Sequence, residues 1–206
     1  SASVIARDLA ELYNAHHGGR PPQLPEIPAQ YHDYAAWQSR GLSGPRADGM
    51  RDYWREQLDG IEPLDLPSDR PRSATTSHPG DTFTLEVDAE LLAPFAELCR
   101  AEGATLHMGL VSLVALILHR YSRQTDFAVG VPIWGRNRAD LEELVGLFAN
   151  TVPVRVRLEP DQTFRQLLRQ VVRTSVEAYD HQDLPFEQIV DAAQPERDTS
   201  RNPLFQ

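Results

Sequence analysis

LVGLFANTVPVRV, residues 144–156, holds the pattern from which the fold can be worked out. Val152, Val154 and Val156, continued by Leu158, fall on one side of an extended chain, and Arg155 and Arg157 on the other. Such period-two alternation marks a half-buried β-strand. Pro153 has no backbone donor, so it points to an edge or crossover position. Upstream, FAVGVPI (residues 127–133) repeats the pattern with Phe127, Val129, Val131 and Ile133, and TFTLEVD (residues 82–88) does so with Phe83, Leu85 and Val87. Three strands are therefore expected.

Helical patterns lie on both sides of them. Thr163 and Gln166 have capping-box spacing and open a strongly amphipathic helix, with Phe164, Leu167, Leu168, Val171, Val172, Ser175 and Tyr179 on its apolar face. DLPFEQIVDAA (residues 183–193) reads as a shorter helix capped by Asp183 and closed by Pro195. Thr105 is placed to cap the very apolar run through residues 108–118, too short to span a membrane and best read as a buried core helix. A helix is expected from Asp88 to about Glu102, with Pro94 as an irregularity inside it and Gly103 as its stop. At the front, Ser3 is placed to cap a helix bearing Ile5, Leu9, Leu12 and Tyr13, which Gly18 and Gly19 end. A proline-rich linker leads to a short helix with Tyr31, Tyr34, Trp37 and Gln38, and Asp48 is placed to cap the next, whose apolar face is Met50, Tyr53, Trp54 and Leu58. Residues 63–81 have no periodicity and read as a long loop, of a kind that carries function or makes a crossing connection. Long helices with few strands imply an α/β fold (an α+β two-layer sandwich), a mixed sheet covered mainly on one face by helices. Ser1 opens almost directly into a helix and Gln206 stops where a strand should continue, so the expectation is a lobe excised from a larger protein.

The 206 residues include 30 acidic and 20 basic ones, a formal net charge of −10 that repels nucleic acid and anionic membranes. A single cysteine, Cys99, excludes an intrachain disulfide and a cysteine metal cluster, and fits a reducing compartment. The adjacent His16 and His17 invite a catalytic reading, since histidine titrates near neutral pH. The acyl-transfer signature His-His-x-x-x-Asp-Gly starts the same way, but its Asp and Gly positions are occupied here by Pro21 and Pro22. A helix C-terminus favours histidine without any catalytic reason. GVPIWGRN, residues 130–137, has phosphate-loop glycine spacing at Gly130 and Gly135 but follows it with Arg136 and Asn137, not Lys and Ser or Thr. Arg136, just past a strand, either has a carboxylate partner or is a solvated turn residue. His107, His119, His181, Glu142, Glu143 and Glu187 read as structural or solvated side chains. No complete catalytic set emerges from the residues alone.

Several stretches taken together resemble the condensation domains of nonribosomal peptide synthetases. YHDYAAWQ (residues 31–38) resembles the family's Tyr-x-Asp-Tyr-Ala-x-Trp-Gln motif, and residues 144–156 contain a Gly-x-Phe-x-Asn-Thr motif. HQDLPFEQIV (residues 181–190) and RDTSRNPLFQ (residues 197–206) are similar to the family's last two motifs, with LPSDRPR and GVPIWGR in the expected order. The resemblance implies one lobe of a chloramphenicol acetyltransferase-like V-shaped pair, the C-terminal lobe of a condensation domain over residues 1–206, cut just after the catalytic histidine motif and inside the last motif. It implies amide formation, in which an acceptor amine attacks a donor thioester. Both substrates would ride on 4'-phosphopantetheine arms of donor and acceptor peptidyl carrier proteins, entering a tunnel from opposite sides. Partners would be the N-terminal lobe, those carriers and an adjacent adenylation domain, in cytoplasmic antibiotic or siderophore biosynthesis, with no nucleic acid, membrane, metal or directly bound cofactor. No catalytic residue is expected within these residues, because the family's histidine pair would lie upstream of Ser1. Arg136 would pair with that motif's aspartate, and Asn150, Asn202, Trp37 and Tyr34 would be tunnel-lining or motif residues, against the competing reading of core packing. A free-standing acyltransferase, an epimerisation domain and a non-catalytic condensation-like recruitment domain remain as alternatives.

Overall fold

The computed structural model describes residues 1–27, 29–69, 80–193 and 202–205. Pro195, residues 70–79 of the long loop, and residues 197–201 and Gln206 of the last motif lie outside the described residues. The elements run α1 (Ala2–His17), α2 (Tyr31–Gly41), α3 (Pro45–Gln57), α4 (Ala89–Ala101), α5 (Leu106–Ser122), β1 (Asp126–Ile133), a 3-10 turn (Ala139–Leu141), β2 (Asn150–Arg157), α6 (Phe164–Asp180) and α7 (Phe186–Ala193). The expected α/β class holds. β1 and β2 form a two-stranded sheet. At one end of it the Leu158 amide donates to the Thr125 carbonyl at 2.7 Å, which sets the close of β2 beside the start of β1 and makes the pair antiparallel.

The local signals explain most boundaries. Thr163 Oγ1 accepts from the Gln166 amide, and the Gln166 side chain returns to the Thr163 amide, closing the capping box of α6. Thr105 Oγ1 accepts from the Met108 amide and opens α5. Three expectations move. The cap of α1 is Ser1, with Ser3 inside the helix. Pro45, not Asp48, begins α3, because its missing donor and fixed φ suit a first helical position. Residues 82–88 form no strand: nothing among the described residues pairs with them, and Phe83 stands 90% exposed.

The chain divides into two compact units, Ser1–Met50 with Pro132–Asn150, and Arg51–Val131 with Thr151–Gln206. In the second, β2 is buried on both faces from Val152 to Val156, and α6 lays Leu167, Leu168, Val171 and Ala178 into the same interior. α5 packs on α6 and α4 through Met108, Val111 and Ala115, yet Leu110, Leu113, Ile117 and Tyr121 on its other side are exposed. It is thus a half-covered helix and not the fully buried one expected. No single helix is long and apolar enough to cross a membrane.

One buried ion organises this unit. Arg155 is 5% exposed. Its Nε and Nη2 donate to the two Asp126 carboxylate oxygens, both at 2.7 Å, and Nη1 donates to the carbonyls of Gln57 and Asp59, both at 2.8 Å. The end of α3 is thereby fastened to both strands. Burial pushes the Asp126 carboxyl up, but the bonds from Arg155 and the charges of Arg155 and Arg157 outweigh it and hold the group below the usual carboxylate range. Its folded affinity for protons is lower than its unfolded one, so the pair's contribution is complete above about pH 5 and fades as pH falls through the carboxylate range. Asp126→Asn is expected to lower stability by about 2 kcal/mol at pH 7, because it strands a buried guanidinium. The exposed partner change, Arg157→Gln, should cost less than about 0.5 kcal/mol. Urea denaturation of the three proteins at pH 7 and pH 3.5 checks both, the gap between wild type and Asp126→Asn narrowing at the lower pH.

Candidate functional site

The site is built in the first unit, on the turn that follows β1. Gly135 has φ +63°, and a Cβ there would lie 1.8 Å from the Phe148 carbonyl oxygen, so only glycine lets the chain reverse against the start of β2. Gly130 meets a different need in the second unit: a Cβ on it would fall 2.5 Å from the Phe205 ring, which also packs 5.3 Å from Phe186. The phosphate-loop-like glycine spacing is accounted for by these two packing demands.

Reversal at Gly135 sends the Arg136 side chain into the turn formed by residues 139–146. Its Nη1 donates to the Leu141 carbonyl and, at 3.2 Å, to that of Glu142. Its Nη2 donates to the Leu144 carbonyl at 2.8 Å and to Ser1 Oγ at 3.0 Å. The guanidinium carbon stands 4.2 Å over the Phe148 ring, a cation–π contact. Ser1 Oγ in turn donates to the Gly146 carbonyl at 2.8 Å and accepts from its amide at 3.1 Å. The sequence offered two readings, a carboxylate partner or a solvated arginine. Among the described residues Arg136 has neither: it is half-buried and its acceptors are carbonyls and a hydroxyl. With both terminal nitrogens doubly used, its Nε–H edge is what remains for a further acceptor.

An aromatic row extends from Phe148. Tyr34 lies 4.7 Å from it and Trp37 5.9 Å from Tyr34, while Tyr31 meets Phe148 edge-on at 5.4 Å. The Tyr31 hydroxyl donates to the Leu147 carbonyl at 2.9 Å. Leu141, Leu144 and Phe148 form the small core under this row, with Tyr34 packed on it. Beside it a pocket of about 220 Å³ is walled by Tyr34, Trp37, Leu141 and Leu144. Trp37 is 43% exposed and carries the Arg138 guanidinium at 5.2 Å. The two carboxylates at the rim are committed: Asp33 accepts from the Gln30 amide, and Asp140 is held below its usual pKa by Arg138. An apolar or flat group fits such walls better than a cation does.

The structure therefore brings Arg136, Tyr34 and Trp37 together. Asn150 begins β2 in the same unit, two residues beyond Phe148. Asn202 belongs to the second unit, where its Oδ1 accepts from the Leu204 amide at 3.4 Å. Ser1 and Phe148 were not singled out from the sequence as partners of Arg136, nor Tyr31 as a partner of Phe148, since these contacts join residues more than ten positions apart. His16 and His17 occupy the last turn of α1, with His17 stacked on Tyr13. His119 Nδ1 bonds the Gln124 carbonyl and His181 Nδ1 the Glu177 carbonyl, both at 2.8 Å. Among the described residues no group of three His, Cys, Asp or Glu is placed to hold a metal ion.

Comparison with known proteins supplies the context. The family model "Condensation domain" matches residues 1–206. One of the linear gramicidin synthase proteins of Brevibacillus parabrevis is 47% identical over the whole chain, which spans 3% of that protein. Phosphinothricin tripeptide synthetase PhsC of Streptomyces viridochromogenes is 43% identical, with the chain spanning 19% of its length. Among solved structures, the X-domain from teicoplanin biosynthesis matches 98% of the chain and 46% of its own at 34% identity, with a TM-score of 0.90. The first condensation domain of the CDA synthetase, at 24% identity, matches in fold with a TM-score of 0.68.

Replacing Arg136 by alanine is expected to cost about 3 kcal/mol, because several carbonyls lose a charged donor in a half-buried turn. Lysine at the same position should recover less than half, since a point ammonium cannot bridge both sides of the turn. Guanidinium denaturation of the three proteins, read by tryptophan fluorescence, checks the order.

Proposed function

This chain belongs to the condensation-domain family, and on that premise we propose that it is one lobe of a catalyst joining two carrier-bound substrates through an amide bond. The observation that carries the reading is the family match over residues 1–206 together with relatives named as peptide synthetases. In the reaction, the acceptor amine nitrogen attacks the donor thioester carbonyl carbon, the C–S bond breaks, the thiolate leaves and the amine proton goes to it. Both substrates would arrive on 4'-phosphopantetheine arms of peptidyl carrier proteins. A four-domain nonribosomal peptide synthetase among the structural matches supports a setting with neighbouring carrier and adenylation domains, here taken as cytoplasmic.

These residues would be the C-terminal lobe, and the catalytic His-His-x-x-x-Asp-Gly would be supplied from the other lobe. Coverage of 46% of the X-domain chain supports this, as does the exposure of Ile5, Leu9, Leu12 and Tyr13, an apolar stripe along α1 with no cover among the described residues. Arg136 would take the motif's aspartate at its free Nε–H edge, or on Nη2 in exchange for the Ser1 hydroxyl. It acts as a positioning residue: with the 139–146 turn fixed beneath it, it holds the loop that presents the histidine. Asn150, Tyr34 and Trp37 would line the approach from this lobe, with Asn202 in the closing segment. An α-amino group is already partly neutral near pH 7, so orienting it contributes alongside removing its proton.

A second reading, recruitment of a partner enzyme by a condensation-like domain, draws on the X-domain match, one structure of which is a complex with OxyB. Single-turnover amide formation between loaded carriers, in the intact synthetase, separates the two: recruitment alone gives no product. In the catalytic case, Arg136→Gln and an Asp→Asn change in the upstream motif should each lower the rate at least about ten-fold, and together no more than either alone, because each removes the same contact. Full additivity would refute the pairing while leaving the amide-forming reading intact.

A further inference from the structure

The second unit contains an open pocket of about 430 Å³ at the Asp126 end of β1, bounded by the last turn of α5, the loop after β2 and the start of α6. Its floor is apolar, from Leu116, Leu158, Phe164 and Leu167. Two guanidinia, Arg120 and Arg123, stand at its wall, and among the described residues neither has a hydrogen-bond or ion-pair partner. Two arginines of α6, Arg165 and Arg169, are by contrast both paired with Glu102. Glu159 also lines the wall, so the two arginines outnumber the carboxylate.

Two details sharpen the picture. His119 Nδ1 faces the Gln124 carbonyl, an acceptor only, so that nitrogen donates and the Nε2 side of the ring is left for another contact. Arg123 holds φ +66°, the one non-glycine residue in the left-handed region among the described residues. At the end of a helix that position is ordinarily glycine, and an arginine there accepts a conformational cost. At the start of α6 the Thr163 and Gln166 amides are used within the capping box.

The geometry points to a binding site for a small amphiphilic anion, a carboxylate or phosphate monoester carried on a short apolar stem, with the oxyanion on Arg120 and Arg123 and the stem on the leucine and phenylalanine floor. The volume lies in the range of ordinary small-molecule sites. Two exposed guanidinia closing on one oxyanion are together expected to contribute about ten-fold in affinity. This site is separate from the amide-forming reading and does not depend on it.

Calorimetric titration of the intact synthetase with octyl phosphate below its micelle concentration tests the inference, with octanoate, octanol and inorganic phosphate as companion probes. The comparison protein is the Arg120→Gln, Arg123→Gly double variant. Glycine takes the left-handed backbone without strain, so this variant should melt no lower than wild type and should keep its amide-forming rate. The expected result is that octyl phosphate or octanoate binds wild type and loses at least ten-fold in the double variant. Octanol and inorganic phosphate should bind at least ten-fold more weakly than the better amphiphile. Equal binding to both proteins, no binding of either amphiphile to wild type, or octanol or phosphate matching the amphiphiles would each overturn the proposal.

Discussion

Arg155 is the constraint from which the larger unit follows. A charged side chain almost never lies buried unless its charge is matched and its donors are used. Asp126 provides the charge from β1, and the carbonyls of Gln57 and Asp59 use the two donors of Nη1. Once that is granted, much else is fixed. The two strands must run side by side in one register, α3 must end where its last carbonyls face the sheet, and Val152, Val154 and Val156 must turn to the opposite face, against the helices. A two-stranded sheet is weak alone. Here it is stiffened by an ion whose bonds reach into a helix end.

Arg136 does related work by other means in the smaller unit. Its chemistry is main-chain capping: a turn with little regular structure has carbonyls to satisfy, and one planar donor group reaches three of them as well as Ser1. Phe148 backs the guanidinium, and Tyr34 and Trp37 continue the aromatic row beyond it. Structural rigidity and the positioning role proposed for Arg136 are in this way one arrangement, and the family motifs at residues 31–38 and 144–156 are its two sides.

The boundaries of α5 and α6 were readable because each is written locally, in a cap residue and a partner three positions on. The alternation in β1 and β2 was readable for the same reason. The identical alternation at Phe83, Leu85 and Val87 misled, because period two states which side chains share a face and says nothing of whether a neighbouring strand exists to bond them. Composition misled at α5: an all-apolar helix suggests burial all round, yet only the Met108, Val111 and Ala115 face is covered. Arg136 drew attention by its place after a strand, but its acceptors could not be named, since carbonyls carry no sequence signature. Ser1 was invisible for a related reason. Its hydroxyl makes no cap bond in α1; it accepts from Arg136 and the Gly146 amide and donates to the Gly146 carbonyl, contacts with residues far along the chain.

The close fit of Phe205 over Gly130 bears on how such domains can be spliced. Residues 202–205 look like a tail, but Leu204 is 1% exposed and the Phe205 ring rests on the floor of β1, where a side chain at position 130 would leave no room. A chimaera joined upstream of Asn202 would exchange one wall of the interior for a foreign one, while a junction placed beyond Phe205 leaves that wall with its native strand. For recombining such domains, this aromatic lid makes residues 202–205 part of the domain being moved and not part of the linker.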